Sequence, residues 1–103
     1  MSFAYTVTAT FADAAVADEM IDWLVGGHLA DVCDAGAQDA EVIRRDETPV
    51  SLEVRYHFAD REAFETYERD HAERLRAEGR ERFTAERGVS FARSTGLVIA
   101  RHP

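Results

Sequence analysis

Residues 3–11 read FAYTVTATF. Phe3, Tyr5, Val7, Ala9 and Phe11 alternate with Ala4, Thr6, Thr8 and Thr10, so one face is apolar and the other small and polar. That period of two marks a half-buried strand. A second stretch, residues 50–58, repeats the pattern. Val50, Leu52, Val54, Tyr56 and Phe58 alternate with Ser51, Glu53, Arg55 and His57.

The rest of the chain is read outward from these two strands. Asp13 offers a helix N-cap directly after the first. Val16, Met20, Ile21, Trp23 and Leu24 then fall on one helical side, with Asp18, Glu19 and Asp22 on the other. Gly26-Gly27 is a place to loosen or kink this helix, which resumes through Leu29 and Val32 and stops near Gly36. A weaker strand is expected over 40–45 and a turn at Asp46-Glu47-Thr48-Pro49. Asp60 caps a second helix. Phe64, Tyr67, His71 and Leu75 share its inner face by spacing, with Glu65/Arg69 and Asp70/Arg74 as i,i+4 pairs outside. Gly79 is expected to interrupt it, and a last strand to run from Val89 to Ala100.

The order is β, α, β, β, α, β. With right-handed crossovers this predicts an α+β, ferredoxin-like βαββαβ fold: a four-stranded antiparallel sheet with two helices on one face. At 103 residues the chain is one domain, 1–103. The second sheet face would carry Thr6, Thr8, Thr10, Glu53, Arg55 and His57. A homodimer closing two such faces is the expected use of it.

Composition narrows the function. The net charge is -8 and the pI about 4.9, and no basic run exceeds Arg44-Arg45, so nucleic-acid binding is not expected. No stretch is long and apolar enough to span a membrane. The single cysteine, Cys33, fits a reducing compartment, and a cytoplasmic location is expected. Acidic neighbours disfavour its thiolate, so it is read as inert. The chain has no lysine, which removes Schiff-base and P-loop chemistry.

The segments YTVTATF (5–11), IDWLVGGHLADVCDAG (21–36) and YERDHAERLRAEGRERF (67–83) resemble an uncharacterised bacterial family known only as a domain of unknown function. That family is assigned to the dimeric α+β barrel superfamily. The resemblance covers nearly the whole chain and implies the dimeric barrel fold, but it implies no activity. The wider superfamily holds cofactor-independent monooxygenases, haem-degrading enzymes, lactone isomerases and amino-acid-sensing domains. Its haem-degrading members use a second-helix histidine with an asparagine and a tryptophan. This chain has His71 and Trp23 but no asparagine.

The residues that bear chemistry are few. His28 and His71 each continue an apolar helix stripe, so both imidazoles are candidates for one shared cavity and for proton transfer. Tyr67, one turn before His71, joins them as a catalytic candidate. Asp31, three residues after His28, is a possible orienting partner. Trp23 and Tyr56 are candidate ligand-binding aromatics, and Arg74 and Arg76 candidate holders of an anionic group. The histidine spacing lacks any metal motif, so no metal and no bound cofactor are expected. Two functions remain open. One is a small-molecule-binding protein or a cofactor-independent enzyme, carrying out proton transfer on, or oxygenation of, a small aromatic or acidic compound. The other is a non-catalytic dimeric interaction module; a cavity too small for a metabolite would favour it.

Overall fold

The computed structural model describes residues 1–103. The strands are β1 (Phe3–Phe11), β2 (Asp39–Arg44), β3 (Ser51–Phe58) and β4 (Val89–Leu97), in the sheet order β2-β3-β1-β4. All three pairings are antiparallel. This is the ferredoxin-like arrangement expected from the two alternating stretches. The apolar parity of β1 and β3 is buried: Phe3, Tyr5, Ala9, Phe11, Leu52, Val54, Tyr56 and Phe58 all belong to the core. β2 starts and ends one residue earlier than its pattern suggests, and β4 stops at Leu97 rather than Ala100.

Two helices cover that face, and neither is a simple α-helix. The first comprises α1 (Ala14–Trp23), a π-helical turn at Leu24–His28 and α2 (Leu29–Asp34). Asp13 caps it by accepting from the Ala15 amide at 2.9 Å. The expected kink falls at Gly27, whose backbone leaves helical geometry. The helix ends at Gly36, whose φ of 137° suits a residue without Cβ.

The second helix comprises α3 (Arg61–Tyr67), a π-helical turn at Glu68–Ala72 and α4 (Glu73–Arg82). Asp60 caps it through the Ala63 amide at 2.8 Å. A π turn takes one residue more than an α turn. The buried positions therefore run Phe64, Tyr67, then Ala72, Leu75 and Gly79. The five-residue step from Tyr67 to Ala72 leaves His71 off the inner face, against the expectation from spacing. The same slip unmakes the expected outer pairs. Arg69 bonds its neighbour Asp70 at 3.0 Å, and Arg74 bonds His71 Nδ1 at 3.2 Å.

Gly79 does not interrupt the helix, which continues to Arg82. It is buried because Trp23 lies on it: a Cβ there would stand 3.3 Å from Trp23 Cη2. The glycine serves a close approach and not a break.

The second sheet face divides in two. On β2 and β3 it is a charged network: His57 Nδ1 to Asp39 at 2.7 Å, Arg55 to Glu53 at 2.7 Å and Arg55 to Glu41 at 3.6 Å. On β1 and β4 it carries only small side chains, with Thr8 opposite Ala92 and Thr6 opposite Ser94. Nothing in the chain covers either half. β4 is exposed along its length after Val89. The molecule is accordingly a slab of 37 × 31 × 21 Å. Its accessible surface is 6236 Å², against roughly 5,800 Å² for a typical monomer of this mass. No helix is long and apolar enough to cross a membrane.

Candidate functional site

Between the helices and the apolar sheet face lies a cavity of about 260 Å³. The first π turn borders it through Leu24 and His28, and the second lies between the lining residues Tyr67 and Leu75. A π turn widens a helix locally and is frequent at functional sites. The Leu24–His28 turn brings His28 to the cavity wall, and the Glu68–Ala72 turn sets the phase of α4 so that Arg76 also lines it.

The His28 imidazole lies on the Trp23 indole, with ring centres 4.1 Å apart and planes 21° from parallel. Its Nδ1 is sealed from solvent and has no hydrogen-bond partner. A buried polar atom without a partner costs on the order of 1–3 kcal/mol, so Nδ1 bears that cost and, closed to water-sized contact, is not the atom a cavity ligand meets. Burial lowers the His28 pKa below its ordinary 6.5, against the opposing pull of Glu78 and Asp31. The ring is thus neutral at neutral pH and free to accept a proton.

His28 and Trp23 also border a second, polar cleft of about 330 Å³ at the Gly26-Gly27 kink. Asp31, Glu78 and Arg82 line this cleft. The stacked pair is therefore the partition between an apolar chamber and a charged, open one. Asp31 shares the cleft with His28, and no hydrogen bond joins them.

Three tyrosines form the opposite wall. Tyr5 stacks on Tyr56 with centres 5.8 Å apart and meets Tyr67 at 6.2 Å. Burial and the neighbouring phenols push the Tyr67 hydroxyl up to about 12 and the Tyr56 hydroxyl higher still. Both remain protonated donors at any physiological pH. Arg76 reaches the Tyr5 hydroxyl at 3.2 Å and Glu68 at 2.5 Å. Burial works against its charge, and these bonds more than offset it, so the guanidinium stays charged.

Five of the residues singled out from sequence thus line one cavity: Trp23, His28, Tyr56, Tyr67 and Arg76. His71 and Arg74 do not. They bond each other on the outer side of the second helix, for the reason of phase given above. Cys33 is half-buried, and burial with Asp39 and Asp34 pushes its thiol up, away from a reactive thiolate. Nowhere do three His, Cys, Asp or Glu side chains come together as a metal-ligating group.

Sequence reasoning missed Phe91, Arg93 and Arg80. The first two come from β4, whose inward parity is Val89, Phe91, Arg93, Thr95 and Leu97. An arginine at the centre of an inward-facing parity was the available signal.

The family model described as "Domain of unknown function (DUF4286)" matches residues 2–96. No curated protein matches the sequence. Among solved structures, the chain is similar to a dimeric ferredoxin-like protein from an uncultured marine organism, with a TM-score of 0.78 at 18% identity, covering 98% of each chain. It is also similar to SnoaB, a cofactor-independent oxygenase from Streptomyces nogalater. There the TM-score is 0.67 at 14% identity, covering 99% of this chain and 97% of that one. A third is a monooxygenase from the gene ActVA-Orf6 of Streptomyces coelicolor in complex with the ligand nanaomycin D. Its TM-score is 0.67 at 17% identity, covering 99% of this chain and 92% of that one. At these identities the likeness is one of fold.

Proposed function

This chain belongs to the DUF4286 family, and from that premise we propose that it binds a small aromatic compound in its helix–sheet cavity and removes a proton from it through His28. The observation that carries the reading is the His28 imidazole, stacked on Trp23 and kept neutral by burial, at the wall of a largely apolar chamber. A base of ordinary pKa near ~6.5, lowered by burial, is suited to accepting a proton at neutral pH. Trp23 supports the ring from one side. The Tyr56 and Tyr67 hydroxyls, held protonated, donate hydrogen bonds to the oxygen on which negative charge develops.

The finer reading is oxygenation without a resident cofactor. It is supported by the fold shared with a cofactor-independent oxygenase and with a second monooxygenase. His28 takes a proton from an activated CH₂ group, and the electron pair stays on carbon. Dioxygen is the oxidant. The carbanion forms a C–O bond to it, and the imidazolium returns its proton to give a hydroperoxide. Loss of water then leaves a ketone. An interaction module with no ligand is the weaker reading, because the chamber has room for a metabolite.

The same reading includes a homodimer. The uncovered second sheet face and the slab shape support it, as does the fold shared with two proteins described as dimeric ferredoxin-like.

The test is oxygen uptake and solvent hydrogen exchange with a hydroxylated bicyclic ketone bearing an activated CH₂ group. Exchange at that carbon, lost in His28→Gln, is expected. Exchange that persists in the variant, or is absent from the native protein, would rule out His28 as the base. Oxygen uptake beyond the uncatalysed rate decides the finer reading.

A further inference from the structure

Building on that reading of the cavity, we infer that its ligand is an anion: an aromatic acid of one or two rings, with the carboxylate held by Arg93 beside Arg76.

The charge inventory carries this. The protein as a whole has a net charge of -8. Yet the cavity wall contains Arg76, Arg80 and Arg93 and not one aspartate or glutamate. A cavity of opposite sign to its own protein concentrates anions, because low-dielectric walls focus the local field.

The three arginines are not equally committed. Arg80 is tied to Glu73 at 2.6 Å. Arg76 is tied to Glu68 at 2.5 Å and to the Tyr5 hydroxyl. Arg93 has only that same Glu68 oxygen, at 4.0 Å, which is beyond a hydrogen bond. One carboxylate thus serves two guanidiniums and is engaged by Arg76. The planar fork of Arg93 is left free, and a fork of that geometry takes a carboxylate with two parallel bonds. Arg93 is also half-exposed on the edge strand β4, so its end of the cavity is where a charged group can enter without complete desolvation.

Size gives the rest. A dry cavity of about 150 Å³ takes up benzene. A volume of about 260 Å³ therefore accommodates one substituted ring or two fused rings. The aromatic walls from Tyr5, Tyr56, Tyr67 and Trp23 favour a flat apolar body.

The probes are 1-naphthoate and its neutral isostere 1-naphthamide, titrated against the native protein and Arg93→Gln. Trp23 is the only tryptophan, so its fluorescence reports the cavity, and calorimetry gives an independent affinity. The acid is expected to bind roughly ten- to a hundredfold tighter than the amide, the range for hydrogen bonds to a charged group. Arg93→Gln is expected to bring the acid down to the level of the amide. Circular dichroism checks that the exposed edge substitution leaves the fold intact. Equal binding of acid and amide by the native protein overturns the anion assignment while the cavity reading stands. So does an acid preference that survives Arg93→Gln. If neither probe binds, both readings fall.

Discussion

Gly79 and Trp23 are fitted to each other: the indole of one lies where the other's side chain would be, 3.3 Å from the position of a Cβ. The contact ties the second helix to the first and sets the plane on which the His28 ring is stacked. The Trp23–His28 wall of the cavity therefore rests on the absence of a large side chain at residue 79.

Enlarging residue 79 in steps tests this. Gly79→Ala gains about 1 kcal/mol of helix propensity, which offsets the crowding of Trp23, so its stability should stay close to native. Gly79→Leu has no such escape. Overpacking should cost about 1–3 kcal/mol, and Trp23 should leave its position, shifting the emission maximum and weakening any cavity ligand. Urea denaturation and fluorescence read both effects. A Gly79→Leu protein with native emission would mean that the contact is not tight.

The lowered pKa of His28 has a signed consequence for stability. The unfolded chain takes up a proton near 6.5, whereas the folded chain resists it until lower pH. The contribution is fully present above 6.5 and is lost as pH falls through the folded value. Denaturation midpoints should drop across that interval in the native protein, before the carboxylates titrate. In His28→Gln that part of the slope should vanish. Parallel slopes in the two proteins would show that the imidazole is not held neutral by burial.

The small-residue half of the second sheet face offers a clean probe of assembly. Ala92 stands opposite Thr8 on β1, at the centre of this half. Ala92→Arg places a long charged side chain where two sheets would meet. Sedimentation equilibrium should report twice the 11.5 kDa chain mass for the native protein and the single mass for the variant. A native protein that already sediments as one chain would end the dimer reading.

The fold was legible because its signals are local and redundant. β1 and β3 announce themselves by parity, and Asp13 and Asp60 by their place just before apolar helical stripes. Both accept the amide bonds expected of caps. The site was legible only in part. Trp23, His28, Tyr56 and Tyr67 were within reach because each sits on an apolar stripe whose phase is unbroken at that point, and Arg76 only through the anion-holding chemistry of its side chain. His71 was misplaced because a π turn has no sequence signature: the extra residue is accommodated by packing of Tyr67 and Ala72 against the sheet, which no local pattern reveals. Arg93 was overlooked because β4 is an edge strand, whose inward parity mixes apolar and polar side chains and so blurs the alternation.

The turn at Glu68–Ala72 makes the second helix one residue longer than its packing requires. Tyr67 before it and Ala72, Leu75 and Gly79 after it all face the sheet. In a gene, that is a place where a codon can be lost without cost to the frame of the architecture. Removing one residue between Tyr67 and Ala72 turns the segment into an ordinary α-helix and leaves both buried faces where they were. Keeping the residue but straightening the helix would instead rotate Arg76 out of the cavity. The second helix thus carries a one-residue allowance in its length just before Arg76, the side chain that its phase brings to the cavity wall.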